Sequence, residues 1–268
     1  MAGAPPAGLD WIHAAAQSLD RARHLPFLIA GETVGWLRRD HVTRLDAWPA
    51  LFAVRDGAVE FTPTLATEPA RTAALDPVVA ALARAGHITG WRNERYAIST
   101  AFDAPPLAYL ERAAARFFGT RTYAVHVNGI VTEGGTPRLW IARRARTKPV
   151  DPGLLDNLVG GGLIAGADVM AELVREAHEE AGIPAALARA AVARGAIDIL
   201  RDVPEGVQQE TLFAYDLELP ADFAPRNEDG EVTEMRLMAL DEVRAVIAKR
   251  AMTLDASLVT AGWLARMA

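Results

Sequence analysis

Apolar positions fall into two rhythms along the chain. In the first stretch, short helical and strand-like runs alternate. Trp11, Ile12, Ala15, Leu19 and Ala22 share one side of a helix predicted over 10–23 and ended by Pro26. Two apolar runs around a Gly-containing turn make 27–37 a hairpin, and 51–61 a second one turned at Asp56-Gly57. A short helix over 38–45 lies between them. Leu75, Val78, Val79 and Leu82 mark the buried side of a helix over 72–85, stopped by Gly86. A strand over 91–98 and a helix over 105–118 closed by Gly119 complete an α+β unit.

From Arg121 the period changes to strict alternation. Residues 122–131 read as a strand with Asn128-Gly129 as a turn signal, and 139–144 as the next strand. A loop over 147–157 leads to Gly160-Gly161-Gly162 and then to a helix over 167–181. Residues 195–202, 206–219 and 229–238 supply further strands, and 240–249 and 257–267 terminal helices. Several strands, a central acidic helix and a helix near the end predict an α/β/α sandwich with a mixed sheet over 120–268, preceded by the smaller α+β domain over 1–119. Residues 1–8, rich in small residues and proline, are expected to be disordered.

Composition narrows the function class. Among 268 residues, 28 are basic and 34 acidic, for a net charge of −6, and the one compact basic run is Arg143-Arg144-Ala145-Arg146, which disfavours nucleic acid as a partner. Cysteine is absent, which excludes disulfides, a thiolate zinc site and a cysteine nucleophile. No apolar run is long enough to span a bilayer, and the N-terminal stretch lacks the pattern of a secretory signal, so a soluble cytoplasmic protein is the expectation. A homodimer is left open. In the first domain, His24, His41 and His87 are isolated and read as surface or capping residues, while Trp36, Trp48 and Trp91 read as core.

The candidate chemistry lies on the helix over 167–181. Asp168 is placed to cap it, and Gly182 with Pro184 to stop it. Glu172, Glu176 and Glu180 recur at four-residue spacing on one face, with Glu179 at its margin. Like charges at this spacing repel, which suits a cluster of hard oxygen ligands for Mg²⁺ or Mn²⁺. On spacing alone, a solvated acidic face fits equally well.

The order of residues resembles a known signature. Gly161, the helix, and then Arg175-Glu176-x-x-Glu179-Glu180-x-Gly182-Ile183 resemble the Nudix box, a glycine followed by a glutamate and then R-E-U-x-E-E-x-G-U with U a bulky apolar residue. Ala177 is small for the first U position, and Ala167 stands where the box has its first glutamate. The resemblance implies the sandwich fold, a Mg²⁺- or Mn²⁺-dependent hydrolase, and metal ligands Glu176, Glu179, Glu180 and the Gly160 carbonyl. It implies that Arg175 orients these carboxylates, and that the missing glutamate at Ala167 would support the arginine and the geometry of the metal site rather than supply a central ligand.

Flanking pieces narrow the resemblance. Lys148-Pro149, Leu155 through Gly162, Tyr215 through Pro220, and Asn227-x-Asp229-Gly230-Glu231-Val232 are similar to Nudix proteins related to thiamine pyrophosphokinase, which carry an extra N-terminal domain. That implies a small-molecule diphosphate substrate, thiamine diphosphate or its oxo and oxy forms, cut to the monophosphate. Catalytic candidates are Glu179, Glu231 and Arg175, with Glu234 and Glu210 as alternative bases; Arg144, Lys148 and Asn157 are candidates for substrate binding. The other readings are a Nudix hydrolase of ADP-ribose or coenzyme A, a catalytically silent binding module, and an isoprenoid isomerase, which the absent cysteine disfavours.

Overall fold

The structure, a computed structural model, describes residues 9–164, 167–228 and 230–267. The expectation of disorder over 1–8 concerns residues outside that set. In the first stretch the elements are α1 (Trp11–Ala16), β1 (His24–Ile29), β2 (Glu32–Arg38), α2 (Arg39–Leu45), β3 (Phe52–Arg55), β4 (Ala58–Phe61), α3 (Glu68–Arg84), β5 (Arg95–Ile98), β6 (Ala108–Glu111) and α4 (Ala115–Phe118). In the second they are β7 (Arg121–Glu133), β8 (Thr136–Arg144), β9 (Leu155–Asp156), β10 (Val159–Gly162), α5 (Val169–Ala181), α6 (Ala185–Ala188), β11 (Val192–Val203), β12 (Gly206–Glu218), β13 (Val232–Ala239), α7 (Leu240–Ala248) and α8 (Leu254–Arg266).

The first unit is a sheet in the order β2-β1-β4-β3 beside a β5-β6 pair. Phe27, Ile29, Leu37, Val79, Phe117 and Phe118 fill the core between them and α3. The second unit is one mixed sheet, β11-β12-β7-β8-β13, with β10 added to β7 and β9 to β8. Strands β12 and β7 run parallel, and the other pairs run antiparallel. Alternation along β7 decides what each face buries. Val125, Val127 and Val131 pack with Leu173, Ala177 and Ala181 of α5. Ala124 and Ile130 pack on the other face with Leu139, Leu258 and Trp263 of β8 and α8. Helices on both faces of a mixed sheet give the predicted sandwich.

Four local expectations are corrected. The helix over 10–23 stops at Ala16, and Pro26 lies inside β1 rather than ending a helix. Residues 108–111 are strand, not helix: Pro105-Pro106 cannot carry helical hydrogen bonds, and β6 pairs with β5 instead. Asn128-Gly129 is not a turn. Strand β7 runs straight through it, and Gly129 is there because Leu158 fills the place of a Cβ. The turn falls at Gly134-Gly135, both with positive φ. Strand β13 begins at Val232, one residue after Glu231.

Contacts cross between the units. Leu9, just ahead of α1, and Ile12 and Ala16 within it belong to the core beneath the second sheet, with Ile199 and Trp263. The tip of the β11-β12 hairpin is fastened to the first unit. Arg38 donates to the Pro204 carbonyl at 3.1 Å, and Arg116 pairs with Glu205 at 3.4 Å. His24 and His41, expected at the surface, are buried there. His24 lies 2.9 Å from Asp202, and His41 stacks on Phe117 with ring centres 4.1 Å apart. Trp91 is the reverse case, expected in the core but 46% exposed.

Candidate active site

Helix α5 is built as its sequence directs. Asp168 caps it by accepting the Ala171 N–H at 2.8 Å, and Gly182 ends it in the left-handed conformation. Its acidic face gathers around one cation. Arg175 donates to Glu172 at 2.6 Å, to Glu176 at 2.6 Å and to Glu179 at 2.5 Å. Burial works against the guanidinium charge, and the Glu172 bond with the surrounding carboxylates outweighs it, so the arginine pKa is raised. Glu172 thus holds the arginine although Ala167 offers no carboxylate.

Glu180 points the other way. It is buried, and its carboxylate accepts the Gly160 N–H at 2.8 Å. Burial pushes its pKa well above the usual carboxylate range, against the opposing Gly160 bond. Glu176 is raised by burial too, with Arg175 pulling it back. Both costs fall when a cation lies beside them. Among the described residues no three His, Asp or Glu side chains are arranged to hold a metal ion, because Arg175 draws Glu176 and Glu179 to itself. The donor set, hard buried oxygens crowded by like charge, nonetheless fits a divalent cation.

Strand β10 lies against this helix and pairs only with β7 among the described residues. Its three glycines each leave room for a neighbour. A Cβ on Gly161 would overlap the Glu176 carboxylate, one on Gly160 would crowd the His126 ring, and one on Gly162 would meet the Tyr96 hydroxyl and the Arg112 guanidinium. Gly160 and Gly162 share the face opposite Gly161, and on that face lies a cavity of about 260 Å³. Glu180 accepts from Gly160, which also lines the cavity, so the acidic helix and the cavity meet at β10.

The remaining sequence candidates divide. Arg144 and Lys148 line the cavity. Arg144 is pinned to Asp156 at 2.7 Å and to the Val150 carbonyl at 2.9 Å, and Lys148 is ion-paired with Glu231. Glu210 lines the cavity beside Gln208, which donates to it at 2.7 Å. Glu234 is paired with Arg143 at 2.9 Å and is not part of the lining. Asn157 is not among the residues that line the cavity. It is buried, and its amide donates to Asn128 and Thr260, both at 2.9 Å, while its carbonyl oxygen lies 3.0 Å from His126 Nδ1. With every amide position engaged, it holds β7 to α8.

Sequence reasoning missed Tyr96, Arg112 and Asp255, which also line the cavity. Asp255 opens α8, and its carboxyl is pushed up to about 6 by burial and then by the Glu210 charge. Nothing in their local sequence marks them, since each arrives by packing from a distant element.

Two family models cover this geometry. The domain of unknown function DUF4743 matches residues 9–122, and the NUDIX domain matches residues 122–258. The chain belongs to the Nudix family. Over 234 residues it is 39% identical to Nudix hydrolase 20, chloroplastic, of Arabidopsis thaliana, covering 84% of this chain and 63% of that protein. Over 245 residues it is 39% identical to Nudix hydrolase 24, chloroplastic, of the same plant, covering 90% of this chain and 67% of that protein. The chain therefore spans about two thirds of the length of these Nudix relatives. Among solved structures it is similar to DR0079 from Deinococcus radiodurans, at 20% identity and a TM-score of 0.48 over 65% of this chain and 98% of that one.

Proposed function

We propose that this Nudix protein is a Mg²⁺-dependent pyrophosphohydrolase acting on a small diphosphate. The observation that carries the reading is the run of three glycines in strand β10, with the carboxylates of α5 on one side and a cavity on the other. Glu176, Glu179, Glu180 and the Gly160 carbonyl would hold Mg²⁺ or Mn²⁺, and Arg175 would keep Glu176 and Glu179 aligned. The bound cation offsets phosphate charge and makes a water more acidic.

Lys148 and Arg144 face the cavity and suit the phosphate oxygens. Water adds at phosphorus, the anhydride P–O bond breaks, and the proton passes to a carboxylate. Glu231, beside Lys148, is the proposed acceptor, with Glu179 sharing the role. Glu210 is the alternative base that lines the cavity, whereas Glu234 is held by Arg143.

The finer proposal is thiamine diphosphate or its oxo and oxy forms. It is supported by the flanking pieces around Leu155 to Gly162 and Asn227 to Val232, and by a cavity of about 260 Å³, below the range usual for drug-sized ligands and suited to a compact substrate. Phosphate release with Mg²⁺ from thiamine diphosphate, oxythiamine diphosphate, ADP-ribose and coenzyme A tests it. Turnover of the thiamine compounds, reduced at least about 100-fold in Glu179→Gln with the melting temperature kept, is the expected result. Turnover of only ADP-ribose or coenzyme A would replace the substrate. Full activity in Glu179→Gln would remove the carboxylate site.

A further inference from the structure

The cavity has walls of opposite charge. The first unit contributes Arg92, Arg112 and Arg116 and no carboxylate, whereas the second contributes five carboxylates against Arg144 and Lys148. A diphosphate entering a cavity lined by the second unit alone would meet net negative charge. Arg144 and Lys148 are engaged by Asp156 and Glu231, as Arg112 and Arg116 are by Glu94 and Glu205. The surplus of cations that balances a polyanion comes from the first unit.

Within that wall, Arg112 is the residue at the glycines. One of its terminal nitrogens lies 3.1 Å from the place a Cβ on Gly162 would take, so the bare glycine lets it sit close against the strand that carries Gly160 and Gly161. Its other terminal nitrogen donates to Glu94 at 2.8 Å, and its guanidinium lies 5.5 Å from the centre of the Tyr96 ring. An ion pair behind it and a ring beneath it hold the planar fork in one place. Fixed forks of this kind match phosphate geometry better than a lysine does.

We propose that the N-terminal unit is the anion-binding wall of the catalytic cavity, and that Arg112, set by Glu94 and Tyr96, binds a phosphate oxygen of the substrate at Gly162. The assignment rests on the diphosphate reading above. It makes the first unit a specificity element rather than an appended domain, and Arg112 a residue that binds ground state and transition state alike.

Calorimetric binding of inorganic pyrophosphate with Mg²⁺ to the full chain tests it apart from turnover. Arg112→Gln should weaken binding about 10- to 100-fold, and Arg112→Lys, which keeps the charge but not the fork, should fall between it and the unaltered protein. In steady-state kinetics the Arg112→Gln loss should appear in KM more than in kcat. Glu94→Gln removes the same ion pair and leaves the guanidinium. Pyrophosphate binding weakened modestly in Glu94→Gln, which frees the fork, and far more in Arg112→Gln supports contact with the anion. Equal losses in both, tracking the melting temperature, would overturn it in favour of a packing role. Tight binding in Arg112→Gln would also overturn it while leaving the hydrolase reading intact. An unaltered protein that neither binds nor cleaves any diphosphate would instead defeat the underlying reading.

Discussion

Burial holds the Asp255 carboxyl at a pKa of about 6, and the charge of Glu210, which shares the Gln208 amide with it, adds to the shift. An unfolded chain releases the same proton near pH 4. Between those values the folded protein binds a proton that the unfolded one has lost, so stability falls as pH rises through the window and the loss persists above it. Asp255→Asn removes the titration. Its melting temperature should vary less with pH between about 4 and 6 than that of the unaltered protein, and should exceed it at pH 7. An unchanged slope would mean the carboxyl is not desolvated. Residues of this kind were invisible in the sequence. Arg175, Glu176, Glu179, Glu180 and Gly160 were legible because one turn and one helix bring them together, whatever the rest of the chain does. Asp255, Tyr96 and Arg112 depend on packing between distant elements. The contacts of Asn157 with Asn128, Thr260 and His126 likewise come from distant elements and could not be read from its neighbours in sequence.

Strand β10 shows what a short element is worth when three of its residues are glycine. Gly161→Ala places a methyl group into the Glu176 carboxylate. The helix is held by its own caps and core, so the carboxylate is what moves. Turnover should fall about 100-fold, as a displacement of roughly an ångström can cost, with little change in melting temperature. Gly262→Ala is the matching control. It lies in α8 with only the end of Arg266 within reach, at 3.8 Å, and should gain roughly 0.5–1 kcal/mol in stability. Equal activity losses in both would show that the effect at Gly161 is not local. Elements with strong local signals came through from the sequence: the two hairpins of the first sheet, the capped helix α5 and the long pair β11 and β12. The errors came where a partner decided. Residues 108–111 have helix-forming side chains, yet they pair with β5, and Asn128-Gly129 has a turn's composition inside a strand whose neighbours accept both residues.

At the scale of the whole molecule, the two units share a core as well as a cavity. Ile12 is fully buried among residues of the second unit although it lies at the start of the first. Ile12→Ala should therefore cost about 2–5 kcal/mol. Denaturant unfolding should remain a single transition at lower midpoint, followed alike by Trp48 in the first unit and Trp140 and Trp263 in the second. Two separated transitions would refute that coupling. This order of assembly could not be read from periodicity, which marks α1 as a helix without saying which sheet it covers. The hairpin tip has its own consequence. Strand β12 begins with Gly206 pressed against the Arg116 backbone and, a few residues on, presents Gln208 and Glu210 to the cavity. Rocking one lobe away from the other would drag those side chains with it, so the two walls share no hinge. Admission and release of ligand then fall to rim side chains and to the 145–154 loop, and the cavity behaves as a fixed vessel rather than a jaw.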